Sequence, residues 1–465
     1  MRGVVMRLIL GFVPGFIFYG SVLAQSTPAG ATAEFVPVPA DASLLNKLSD
    51  GYQLDYKEES THLPSENKKD YQDIYDERWK SIKERFDKQE IYTDPAAQAY
   101  LDALVTEIVS RNPVLKATPF HCYFSRSYVP NAEYIGEGII LINMGLFDRL
   151  SDESQVAYIL CHEISHFILH HQENSIAKQV ETLNSPEFQA KLKAIQHSQF
   201  NKRAGVEGLV KGFAFDSRRH SRDHEAQADS MAVVLMRATR FDLNGALTTL
   251  ALLDTVDKDD FNTAAFLQLT FNSTSYPFKR KWLKKEVGLM GGTVQPEEGE
   301  LSDSLKTHPS CPLRIKLLTP MVQSWKTPGR LKNVIDLSRF DRLRERFKYE
   351  VIEYAYVSDE YSINFFYSLE LLRDRPNDPY LIAGIGRVLN GIYDAQKGHR
   401  LSKVVDLPGP EYAANYNLLL QFIQNLYLED LASINYNFLT PWHPRLDHLT
   451  VFKTAYEQSA KTAAL

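Results

Sequence analysis

The apolar and polar positions along the chain predict a mostly helical protein with a small β component. Residues 139–142 form a short apolar run between turn residues, which favours a buried or edge strand over a helix. A second strand is expected at residues 120–124. After an acidic helix start at residues 151–153, apolar side chains recur at helical spacing; they are Val156, Ile159, Leu160, Ile164, Phe167 and Ile168. The predicted fold class is α+β, mostly α.

The first 24 residues have the pattern of a secretory signal peptide. Arg2 and Arg7 give a positive start, an apolar run follows, and small residues lead to Val-Leu-Ala at residues 22–24. The apolar run is short for spanning a bilayer, which disfavours the alternative of an uncleaved membrane anchor. The sequence therefore predicts an exported protein, most simply a periplasmic one, with no transmembrane segment after the signal peptide.

The rest of the chain is expected to contain a lead-in and two domains. Residues 25–65 are rich in Pro, Ala, Ser and Thr without sustained periodicity, and they predict a flexible lead-in. Residues 66–328 contain the candidate chemistry, and residues 329–465 are expected to form a helical C-terminal domain. A helical-hairpin repeat and an ordinary helical domain both fit that last part, because no full repeat period is visible. We expect it to dock substrates or partner proteins.

Composition excludes some functions and selects none. The 465 residues are 44% apolar and 24% charged, as in ordinary globular proteins. A net charge of -6 gives no electrostatic footprint for nucleic acid. Cys122, Cys161 and Cys311 are too few and too scattered for a disulfide framework, although one bridge stays open.

The main chemical signal is the pentapeptide at residues 162–166. His162 and His166 are four residues apart, so on a helix both imidazoles project from one face and reach the same metal ion. Glu163 lies on the adjacent side, where it can act as a base toward a water molecule. Taken alone, the motif also fits two partly buried histidines on a packing helix, so a third ligand has to decide.

Catalytic zinc sites use three protein ligands and leave one position open. The metzincin and thermolysin-like completions fail, because Leu169 and Pro186 stand where those patterns need a glycine and a glutamate. A better completion is Glu225, because on a helix it shares a face with Asp229, which can accept a hydrogen bond from a ligand histidine. A solvated acidic face is the alternative for this pair. His224 is the rival ligand, but its side chain points about 100° away on helical geometry.

An ordered set of motifs resembles the zinc metallopeptidases that include HtpX, the periplasmic protease BepA and the eukaryotic CAAX prenyl endopeptidase. The set spans roughly residues 70–325; it consists of Asn131-Ala132, Gly138-Ile-Ile-Leu-Ile-Asn143, Gly145-Leu146, HEISHFILHH from His162 to His171, SRDHEAQAD from Ser221 to Asp229, and Thr307-His308-Pro309-Ser310. The resemblance implies a gluzincin-type metallopeptidase domain with a small sheet. In it, His162, His166 and Glu225 hold one Zn²⁺ per chain, and Glu163 is the general base. The membrane helices of HtpX and the prenyl endopeptidase are absent from this sequence, so the similarity is greatest to soluble, BepA-like members.

The resemblance also implies roles for two residues near the end of that domain. His308, in a His-Pro loop, is expected near the metal, where it either steadies the tetrahedral oxyanion or caps the zinc as a fourth ligand. Arg314 is expected to hold that loop in place.

These features together predict a zinc metalloendopeptidase of the cell envelope that hydrolyses unfolded or misassembled proteins. The strand containing Gly138, Ile139, Ile140 and Leu141 is expected to pair with an extended substrate by strand addition. The alternative is a chaperone or scaffold for envelope or outer-membrane protein assembly, with a normally occluded protease site. In that case the C-terminal domain would bind the assembly partners.

Overall fold

Helices and one small sheet form the structure, a computed structural model that describes residues 35–197, 222–255, 261–284, 311–410 and 412–464. The α-helices are α1 (Ala42–Thr61), α2 (Lys68–Asp87), α3 (Pro95–Arg111), α4 (Met144–Phe147), α5 (Glu153–Ile168), α6 (His171–Asn184), α7 (Pro186–His197), α8 (residues 222–238), α9 (Asn244–Leu253), α10 (Thr263–Phe271), α11 (Cys311–Ser324), α12 (Leu337–Val357), α13 (Tyr361–Asp374), α14 (Pro379–Lys397), α15 (Ala414–Gln424), α16 (Leu428–Leu439), α17 (His443–Leu446) and α18 (Thr450–Ala463). The strands are β1 (His121–Ser125), β2 (Ala132–Gly136) and β3 (Ile139–Asn143). The predicted α+β, mostly α fold class is confirmed.

The sheet has the strand order β1-β3-β2, so β3 lies in its middle. Strand β3 pairs in parallel with β1 and antiparallel with β2, and all five of its residues are buried. The turn between β2 and β3 has a positive φ at three successive residues, Gly136, Glu137 and Gly138. A Cβ at Gly138 would lie 2.7 Å from the carbonyl oxygen of Pro119. Both the positive φ and this close approach therefore require glycine at position 138.

This topology contradicts the prediction that Gly138, Ile139, Ile140 and Leu141 pair with substrate. Both edges of β3 already carry hydrogen bonds to neighbouring strands, and Gly138 belongs to the turn. A strand whose two edges are occupied has no backbone groups left for a further strand. Within the described part of the sheet, β2 is the edge strand on the side of helix α5, which it contacts.

The prediction of a flexible lead-in is wrong for residues 42–61, which form helix α1. The Asp41 side chain accepts a hydrogen bond from the backbone N–H of Leu44 and caps the helix. Leu45 and Tyr52 are buried in one apolar cluster with Trp79 of α2 and other core residues. Their burial follows a helical spacing that the polar composition of the segment concealed.

Helix α5 is capped by Asp152, whose side chain accepts the backbone N–H of Gln155. Thirteen of its sixteen residues are buried, so both its apolar and its polar faces lie inside the protein. At its first residue, the Glu153 carboxylate accepts the backbone N–H groups of Val334, Ile335 and Asp336 at 2.6–2.8 Å. These bonds join the start of the site helix to the segment that leads into α12.

The C-terminal helices pack on one another and on the rest of the chain. Helix α12 contacts α13, α13 contacts α14, and α14 also contacts α16 and α18. Arg126, after β1, donates to Glu350 of α12 at 2.8 Å, and the Glu350 side chain is fully buried. Residues Val36–Leu465 form one compact unit that contains the boundary predicted at residue 328. The predicted division into two domains and the repeat character of residues 329–465 stay predictions.

The signal peptide predicted at residues 1–24 lies outside the described residues. In the parts of the chain that the structure describes, none of the helices is both long and apolar enough to cross a membrane.

Cys122, Cys161 and Cys311 are all buried, and no disulfide joins any two of them. Burial raises the pKa of the Cys122 and Cys161 thiols well above the usual range. A protonated thiol is a poor nucleophile, so these side chains serve as small core residues. The bridge that the sequence left open does not form between them.

Candidate metal centre

Helices α5 and α8 bring three predicted metal ligands together. The Nε2 atoms of His162 and His166, one turn apart on α5, lie 3.1 Å from each other. The Glu225 carboxylate, from α8, lies 3.5 Å from the first of these atoms and 3.4 Å from the second. One donor atom from each residue falls within 4.8 Å of the other two. The geometry therefore converges on a single point between the helices.

The donor set fits a catalytic zinc ion. Two imidazoles and one carboxylate are ligands that zinc prefers, and three protein ligands leave a coordination position open. Burial alone lowers the pKa of His162, but Asp229 and Glu225 outweigh it and raise that pKa to about 10. The surrounding charges thus favour a cation at this point, which is what a bound metal ion supplies.

Asp229 and Arg314 form a buried group of contacts with the candidate ligands. An Asp229 oxygen lies 3.0 Å from His162 Nδ1, on the opposite side of the ring from the ligand atom. Arg314 donates two hydrogen bonds to the same carboxylate, at 2.6 and 2.7 Å, and Tyr158 donates a third at 2.6 Å. Burial raises the pKa of Asp229, but Arg314 and His162 outweigh it and hold that pKa well below its usual range. Asp229 is therefore a buried carboxylate that fixes the orientation of His162.

Arg314 contacts two acids of the centre, and its predicted role in holding the His308 loop stays a prediction. The guanidinium of Arg314 donates to Asp229 and lies 3.2 Å from the Glu225 carboxylate. Its side chain is only 6% exposed. Arg314 thus supplies the buried positive charge that balances two acids of the centre. His308 itself lies outside the described residues.

Glu163 is anchored at the rim of the same centre. Its Oε2 atom accepts the backbone N–H of Tyr134 in β2 at 2.9 Å. Together with His166 and Glu225 it lines a cleft of about 360 Å³, and residues 131–134 form another wall of that cleft. A carboxylate held beside the ligands, on an open cleft, is suitably placed for proton transfer.

Two further histidines lie at the centre: His171, to which the sequence analysis gave no role, and His224, which it weighed only as a rival ligand. His171 Nδ1 lies 3.0 Å from His166 Nδ1, and His171 Nε2 lies 3.2 Å from Gln227 Oε1. The His224 ring stacks on His171 with 4.2 Å between centroids, so His224 contacts this ring and is separate from the cluster of three ligands. Burial lowers the pKa of His171 to about 4. The signal in the sequence was His171, the fourth histidine of the run from residue 162 to residue 171, five residues after His166.

Comparison with known proteins agrees with this geometry. Residues 95–322 match the sequence profile of Peptidase family M48. A beta-barrel assembly-enhancing protease of Yersinia pestis is 26% identical over 152 residues, which cover 32% of this chain and 31% of the relative. The protein of that name from Escherichia coli strain K12 is 26% identical over 156 residues, covering 33% and 31%. A Vibrio cholerae protein that carries the name provisionally is 27% identical over 161 residues, covering 34% and 32%.

The match spans about a third of the length of these curated relatives. The matching profile begins at helix α3 and ends inside α11, so it includes the sheet, the ligand helices and Arg314. The chain therefore contains a metallopeptidase domain of Peptidase family M48.

Proposed function

We propose that the protein is a zinc-dependent endopeptidase that cleaves unfolded or misassembled proteins of the cell envelope. The observation that carries this proposal is the convergence of His162, His166 and Glu225, with Glu163 beside them on an open cleft. Export to the periplasm is part of the proposal and rests on the pattern of residues 1–24.

Each residue of the centre has a role in this reaction. His162, His166 and Glu225 would hold the zinc ion, which supplies Lewis acidity toward the scissile carbonyl and toward water. Glu163 would accept a proton from the attacking water and return it to the leaving amine. Asp229 and Arg314 would keep His162 and Glu225 in place, so that the ligands do not reorganise during the reaction. His308 keeps the two roles proposed for it, as oxyanion donor or as fourth ligand.

Substrate is expected to pair with β2 instead of β3. Residues 131–134 line the cleft beside Glu163, and the backbone N–H of Tyr134 points away from β3 toward that carboxylate. An extended peptide that lies along this edge would place its backbone next to the ligands. Because strand addition reads mainly the backbone, this mode suits broad cleavage of unfolded chains.

The test is digestion of casein by the purified mature chain beside its Glu163→Gln variant. The change is isosteric and removes the base, so we expect turnover to fall by about 10²–10⁴-fold while zinc content and melting temperature stay near those of the native chain. Glu187→Gln is the matched control, because Glu187 is exposed on α7 and pairs with Lys191. Full activity of the Glu163 variant would refute the assignment.

The second candidate is a chaperone or scaffold for envelope protein assembly. The names of the matching relatives favour it, because they describe proteases that enhance assembly of β-barrel proteins. In this case neither the native chain nor Glu163→Gln would cut casein. Both would instead protect an unfolded outer-membrane protein from aggregation to the same extent.

A further inference from the structure

We propose that His171 is a positioning residue that fixes the ring of the zinc ligand His166. This inference rests on the proposed function. It adds to the three candidate ligands a residue that contacts His166 without binding the metal itself. Two distances carry it: 3.0 Å between the Nδ1 atoms of the two histidines, and 3.2 Å from His171 Nε2 to Gln227 Oε1.

The direction of these hydrogen bonds follows from the position of the ligand atom. His166 Nε2 faces His162 Nε2 and Glu225, so it is the atom available to the metal and carries no proton there. The proton of a neutral His166 is then on Nδ1, from which it is donated to His171 Nδ1. His171 in turn carries its proton on Nε2 and donates it to the Gln227 side chain. The chain of bonds is consistent only with this pair of tautomers.

Helix α8 thereby supports both ligand histidines. Asp229 contacts His162 directly, whereas Gln227 acts on His166 through His171. Both residues follow Glu225 on the same helix, two and four positions further along the chain. A ring that is held at its second nitrogen loses rotational freedom before the metal arrives, and such supporting contacts contribute 10–100-fold in metal affinity.

The experiment measures zinc affinity of the full mature chain by competition with a chromophoric chelator. His171→Phe keeps a ring of similar size against His224 but removes both nitrogens, and we expect zinc affinity to fall by about 10–100-fold. His171→Asn keeps an acceptor oxygen close to the position of Nδ1, so it should recover most of that loss. Gln227→Leu should give a smaller loss, because it acts only through His171. The exposed His448→Ala is the matched control and should bind zinc like the native chain.

Two further measurements separate positioning from general packing. The melting temperature of the metal-free chain should be alike for the Phe and Asn variants, while their zinc affinities differ. The visible absorption spectrum of bound Co²⁺ should change for the Phe variant and resemble the native spectrum for the Asn variant. Native zinc affinity in His171→Phe, or equal losses in the Phe and Asn variants, would overturn the inference. If the native chain bound no zinc, the proposed function itself would fail.

Discussion

Replacing Arg314 by Met tests whether this side chain balances the buried acids of the metal centre. The substitution keeps most of the apolar stem but leaves Asp229 and Glu225, which are 2% and 7% exposed, without their guanidinium partner. Removing one partner of a buried ion pair costs about 3–5 kcal/mol, because the remaining charge stays desolvated. Unfolding entropy of about 2.1 cal/mol/K per residue gives about 0.9 kcal/mol/K for this compact unit. The expected fall in melting temperature is therefore about 3–6 °C.

The assay is calorimetry of the metal-free chain, with excess chelator present throughout. Arg314→Lys should fall between the native chain and Arg314→Met, because an ammonium keeps the charge but cannot bond Asp229 through two parallel N–H groups. Arg342→Met is the control, since Arg342 is exposed on α12 and donates to the nearby Ser338. An unchanged melting temperature for Arg314→Met would refute the view that this residue offsets buried charge.

Three further predictions concern other parts of the fold. Burial raises the pKa of Asp148 to about 7, and Arg149 and Lys348 offset part of this rise. Because the pKa of Asp148 is higher in the folded than in the unfolded protein, native stability falls as pH rises from about 4 to 7. Asp148→Asn should remove this dependence, so its melting temperature should exceed the native one increasingly over that range, and a constant difference would contradict the prediction. Gly51→Ala, inside α1 with no atom within 4 Å of the new Cβ, should stabilise the protein by about 0.5–1 kcal/mol in denaturant unfolding. Destabilisation by Gly51→Ala would argue against helix α1. Gly145→Ala should instead prevent folding, because its Cβ would lie 1.8 Å from the Tyr128 carbonyl oxygen.

The candidate ligands could be proposed from the sequence because their spacing on helices is local. His162 and His166 need one helical turn to share a face, and Glu225 and Asp229 need another. Helical periodicity and the caps at Asp152 and Asp41 are also local, although the second was masked by the polar composition around it. Relations that depend on helical spacing or on a neighbouring cap residue can therefore be read from the sequence.

The error on β3 had a different cause. A short apolar run indicates a strand, but the run has the same appearance whether one edge of the strand is paired or both are. Which strands lie beside it depends on β1 and β2, and their order in the sheet is a property of the whole fold. The apolar residues of β3 are explained by complete burial, and the more polar β2 is the strand that borders the cleft.

Two of the supporting residues of the centre could not be assigned from spacing for the same reason. Arg314 and His171 belong to helices that are distant in sequence from at least one of the groups they contact, and neither matches a ligand pattern. Their contacts with the centre form only when α5, α6, α8 and α11 pack together. The two candidate ligand histidines then differ in what they contact. His162 contacts the Asp229 carboxylate, which is paired with Arg314. His166 contacts the uncharged ring of His171, which bonds the Gln227 amide. Because a carboxylate raises the basicity of an imidazole more than a neutral acceptor does, His162 should be the stronger donor to the metal, and loss of Asp229 should weaken zinc binding more than loss of His171.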